Sequence, residues 1–107
     1  MFIKHNDEGY IPMLPGIRRK TLVHGEKTLM SKFHLQQGHT LPRHSHPHEQ
    51  TGYLLQGRLR FIAGDDSFEA EPGDSWCIAG GIEHGVEVLE DAVVLEVFTP
   101  VREEYLP

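Results

Sequence analysis

The chain has 107 residues, 38% of them apolar and 24% charged, with a formal net charge of −6, which suits one compact domain and leaves little room for a second. No basic run exceeds Arg18 to Lys20 and no 18 apolar residues run together, which argues against nucleic-acid and membrane partners. The single cysteine, Cys77, excludes an internal disulfide, and the early charges of MFIKHNDEGYIPML leave no apolar stretch for a signal peptide, so the expected setting is the reducing cytoplasm.

Helical spacing is sustained nowhere. Short β-rich runs appear instead, at Thr28 to Leu35, Thr51 to Gln56, Arg58 to Ala63, Ser67 to Glu71, Ser75 to Ala79, Gly85 to Glu90 and Ala92 to Pro100. Turn signals separate them at Gly38, Gly57, Gly64, Pro72-Gly73-Asp74 and Gly80-Gly81, each able to reverse the chain tightly. Gly57 reads as the end of a hairpin. About seven short strands at near-regular spacing predict an all-β antiparallel sandwich or barrel.

Eight histidines in such a chain need a local explanation. His44 and His46 stand two apart, and on a strand that spacing points both imidazoles to one face, roughly 7 Å apart at Cα, within reach of one ion. Gln50 keeps even parity with His46, and His84 follows a glycine-rich turn. His48 and Glu49 compete for the same role. Pro47 interrupts strand geometry between them, so parity alone leaves the ligand set open. His5, His24 and His39 lack any partner pattern and read as surface or loop residues. His34 reads the same way or as a cavity residue, and Trp76 and Cys77 read as packing.

Two ordered spacings narrow the choice. Gly38-x5-His44-x-His46-x3-Gln50-x6-Gly57 and Gly73-x5-Ala79-x-Gly81-x2-His84 resemble the two motifs of the cupins. Gln50 stands where most cupins carry Glu, Ala79 where proline is usual and Val88 where asparagine is usual. The resemblance implies a jelly-roll β-barrel over residues 1–107, with a metal-binding core at about 38–98. It implies His44, His46, Gln50 and His84 as ligands of a divalent transition metal, with Ni, Zn, Mn, Fe and Co all compatible. It leaves His48 at the rim of the pocket, and Tyr53 as a further pocket-lining or core residue. Four neutral donors would leave the full charge on the metal, favouring Lewis-acid chemistry on an anionic substrate.

GIRRK at Gly16, HPHEQ at His46 and EHGVEVLEDAVVLEVFTPVREEYL from Glu83 are similar to the pectin-degradation cupins of the KdgF type. Those proteins convert 4,5-unsaturated uronates to linear keto sugars. The resemblance implies Glu96 as the catalytic acid, where the family carries Asp, with Phe98 and Arg102 at the substrate. It implies a homodimer acting on a small anionic sugar. Taken bottom-up, Glu96 is either an interior acid/base group or an exposed strand glutamate, and Arg102 either clamps a carboxylate or pairs with Glu103 or Glu104. A metal-dependent dioxygenase and a non-catalytic ligand-binding cupin are the other readings.

Overall fold

A computed structural model describes all 107 residues. Eight strands carry the fold: β1 (Ile11–Leu14), β2 (Ile17–His24), β3 (Leu29–Leu35), β4 (Thr40–His44), β5 (Glu49–Ala63), β6 (Asp66–Ala70), β7 (Ser75–Ile78) and β8 (His84–Thr99). A single 3₁₀ turn, Glu103–Tyr105, follows. No helix is long and apolar enough to cross a membrane.

All pairings are antiparallel, and β5 and β8 lie beside each other over most of their length. The first half of β5 also pairs with β7 and the second half with β6. In the same way β8 meets β4 near His84 and β3 from Ala92 onward. Both long strands therefore pass from one sheet into the other, which closes the structure into a jelly-roll barrel.

The corner of that passage corrects one expectation. Gly57 does not end a hairpin; it sits inside β5 with φ +89°, and the pairing with β8 shifts on both sides of it. A Cβ there would lie 2.1 Å from the carbonyl oxygen of Asp91. Both the backbone angle and the close approach demand glycine. Thr51 to Gln56 and Arg58 to Ala63 are thus one bent strand, as are Gly85 to Glu90 and Ala92 to Pro100. A glycine between two β-rich runs looks the same in sequence whether the chain reverses or only bends.

The interior follows the period-2 rule. In β3, Leu29, Ser31, Phe33 and Leu35 face in, and the Ser31 hydroxyl, at an otherwise apolar level, donates to the carbonyl of Lys20 at 3.0 Å. In β8, Val94, Glu96 and Phe98 share the inward face. Leu29 and Leu54 are fully excluded from solvent and Phe98 is 1% exposed. Each such side chain contributes roughly 1.5–3 kcal/mol relative to an exposed position. A carboxylate on this parity is almost wholly removed from water, and that shapes the site.

Candidate metal centre

Three strands and one loop bring the polar residues together. His44 ends β4, His84 opens β8, and the two are paired in register; Gln50 is the second residue of β5, and His46 lies in the loop between. One ring nitrogen from each of His44, His46 and His84 lies within 4.8 Å of the others. Ring centroids are 4.3 Å apart for His44 and His84, 4.9 Å for His46 and His84, and 5.6 Å for His44 and His46.

The hydrogen bonds assign the tautomers. Each Nδ1 faces a backbone carbonyl two residues away: Pro42 for His44 at 2.9 Å, His48 for His46 at 3.0 Å, and Ile82 for His84 at 2.8 Å. A carbonyl only accepts, so Nδ1 carries the proton and Nε2 keeps a bare lone pair. Burial, reinforced by the Arg102 charge and by His84, pushes His46 down to about 4. Burial also lowers His84. Neutral imidazoles are therefore favoured, with their lone pairs turned to one point.

The amide of Gln50 completes the arrangement. Its amide faces Glu96 on one side, and its Oε1 lies 2.8 Å from His46 Nε2. With the proton on Nδ1, the lone pair of His46 Nε2 and that of the Gln50 oxygen are turned towards a common point, which a bound cation would satisfy. Four neutral donors, with the carbonyls behind the imidazoles fixing their orientation, fit a divalent transition metal.

Glu96 is 5% exposed. Burial raises its carboxyl to about 8, although N–H donors on Trp76 and Gln50 and the charge of Arg102 all pull it down. The indole Nε1 of Trp76 donates to both carboxyl oxygens, at 3.1 and 3.4 Å. A cavity of about 40 Å³ is lined by His44, Gln50, His84, Glu96, Phe98 and Arg102 among others. The guanidinium of Arg102 stacks 5.0 Å from the Phe98 ring and 4.2 Å from Tyr105, while its Nε donates to Glu104 at 2.7 Å. Of its two expected environments the ion pair is present, with Glu104 and through Nε.

Other expected residues fall elsewhere. Tyr53 is not in the pocket: odd-numbered residues at the start of β5 face out, and its ring is 45% exposed. His48 does not line the cavity; its carbonyl holds His46, and its own Nδ1 is buried without a partner. Glu49 is exposed and faces Cys77, 3.7 Å from the sulfur. His34 lines an open outer groove with Arg18 and Asp91, and its Nε2 meets the Tyr10 hydroxyl at 2.9 Å. Trp76 does more than the packing expected of it. An inward-facing tryptophan on a strand beside β5 is the signal for this, since a buried indole N–H needs an acceptor.

The fold and this constellation define the class, and the chain belongs to the cupin domain family, whose model matches residues 31–98. It is similar to the pectin degradation protein KdgF of Dickeya dadantii, with 27% identity over 93 residues, covering 85% of this chain and 84% of that one. The solved structure of KdgF from Halomonas superposes with a TM-score of 0.93 at 27% identity, covering 99% of this chain and 98% of the other. An RmlC-like cupin from Shewanella frigidimarina gives 0.92 at 20% identity, covering 98% and 95%, and shares the fold.

Proposed function

We propose that this protein opens the ring of 4,5-unsaturated uronates and carries the resulting enol to a linear keto sugar, as a metal-dependent isomerase. The observation that carries the proposal is the buried Glu96 carboxyl, which lines the same cavity as His44, Gln50 and His84 and is held there by the Trp76 indole. A divalent transition metal held by His44, His46, Gln50 and His84 would supply Lewis acidity towards the substrate's oxygens. Its four neutral donors cancel none of its charge, which suits a substrate that is itself a carboxylate.

The remaining work falls to the chain. In ring opening, the bond from C1 to the ring oxygen breaks, C1 becomes an aldehyde, and the proton of the anomeric hydroxyl ends on the former ring oxygen as an enol. In the second step Glu96, protonated at neutral pH, gives its proton to C4 while C5 becomes a ketone. The enol proton returns to the Glu96 carboxylate, so atoms and charge balance and the net change is an isomerisation. A carboxyl with a pKa near working pH suits this exchange, which is worth on the order of 10²–10⁴-fold in rate. Arg102 meets the substrate carboxylate with its terminal nitrogens, Glu104 holding Nε. Phe98 forms the apolar wall beneath that guanidinium. The reading places the protein in the cytoplasm as a homodimer, for which the exposed Ile11 and Leu14 of edge strand β1 offer a face.

An NMR time course of unsaturated galacturonate tests this. Metal-loaded protein should speed its disappearance and chelated protein should not; no acceleration by the loaded protein would remove this substrate class.

A further inference from the structure

The interior of the barrel contains one polar row whose members are explained by neither packing nor metal binding. Reading across the sheet, Trp76 of β7 pairs with Gly52 of β5, Gly52 with Glu96 of β8, and Glu96 with Ser31 of β3. Neighbouring strands stand about 4.8 Å apart, so the indole must cross β5 to touch Glu96. It does so because position 52 has no side chain. A Cβ there would lie 2.2 Å from Trp76 Nε1 and 2.6 Å from Glu96 Oε2. The glycine shows no left-handed backbone angle, so the space itself is the requirement.

We propose that Trp76 is a positioning residue, whose indole N–H passes through the notch left by Gly52 to fix the Glu96 carboxyl beside the histidine cluster. The carboxyl is then held by the indole, which donates to both of its oxygens, while the Gln50 amide faces it from β5. Without the indole, a side chain with three rotatable bonds loses both of the hydrogen bonds that set its direction. The indole is fixed in turn by its packing, 4.3 Å from the Phe61 ring and 6.4 Å from Phe68 between centroids. Aromatic bulk alone would serve those contacts. The missing Cβ makes room for ring and carboxyl alike, while the N–H serves only the carboxyl.

This role rests on the reading of Glu96 as the acid/base group, and its test separates the two. Trp76 is the only tryptophan, so a labelled sample gives one indole N–H resonance. In the metal-free protein that resonance should be protected from solvent exchange. It should shift and lose protection in Glu96→Ala, and keep protection in Glu96→Gln, which still offers a carbonyl acceptor. An indole signal unmoved by Glu96→Ala overturns the contact. In metal-loaded protein, Trp76→Phe keeps the aromatic ring and should lower kcat roughly 10- to 100-fold, the scale of a misplaced catalytic group, with KM changed less than about threefold. A folded Trp76→Phe with wild-type kcat overturns the positioning role while the reaction stands. If wild-type protein opens no uronate, the reaction falls instead, and the indole resonance alone decides whether Trp76 holds Glu96. The resonance experiment needs no Trp76 variant, so a Trp76→Phe protein that fails to fold leaves it decisive.

Discussion

Replacing Glu96 by Gln should stabilise the metal-free protein at alkaline pH and leave it little changed in acid. The native carboxyl keeps its proton up to about 8, whereas an unfolded chain releases it near the ordinary 4.5. Between those values the unfolded state binds fewer protons, so stability falls as pH rises and the loss is complete above about 8. His46 acts in the opposite sense: lowered to about 4 from 6.5, it adds stability as pH rises through that interval. The Gln variant retains His46 and His84, so the difference between the two proteins isolates Glu96. The interval from 4.5 to about 8 corresponds to on the order of 5 kcal/mol as an upper bound. With a urea dependence of roughly 2 kcal/mol per molar, the midpoints should diverge by up to about 2.5 M. Urea titrations followed by far-ultraviolet circular dichroism, in chelator, at steps from pH 5 to 9 would measure this. Parallel midpoints across that range would refute the argument, because they would mean that Glu96 ionises in water like any surface glutamate.

His46→Ala should abolish metal retention in elemental analysis of the purified protein, and full retention would mean that the ligand set is wrong. Arg102→Lys keeps the charge but loses the planar fork, so KM for an unsaturated uronate should rise roughly tenfold, the effect of about 1.4 kcal/mol; an unchanged KM would remove Arg102 from substrate binding. Tyr53→Ala, on the outer face of β5, should change neither metal content nor turnover, and stability by no more than about 0.5 kcal/mol. A loss of activity in that variant would contradict the outward placement.

The strand runs of the second half of the chain were legible because β5, β6, β7 and β8 are rich in β-forming residues and bounded by turn signals. β2 was not, since Arg18, Arg19 and Lys20 break any apolar alternation, and the short edge strand β4 carries Pro42. An edge tolerates proline because one side of the strand needs no partner. Gly57 was visible as a break, but its nature depended on the Asp91 carbonyl facing it from β8, a contact far away in sequence. The spacing of His44, His46, Gln50 and His84 was readable as a pattern, and the fold draws their polar atoms together. The outward face of Tyr53 was also within reach: Gln50, Gly52 and Leu54 share one parity and Tyr53 has the other. What no local pattern exposed was the Trp76–Gly52–Glu96 row. It exists only once three strands are in register, and glycine leaves no trace of what passes over it.

A carboxyl beside the histidine cluster, in the proposed reaction, delivers the proton that turns an unsaturated uronate into a keto sugar. The most direct measurement is an NMR time course of the substrate's C4 vinylic proton, with wild-type and Glu96→Gln protein loaded to equal metal content. That signal should disappear rapidly with wild type, and its loss should fall towards the uncatalysed rate in the variant. Equal rates from the two proteins would contradict it.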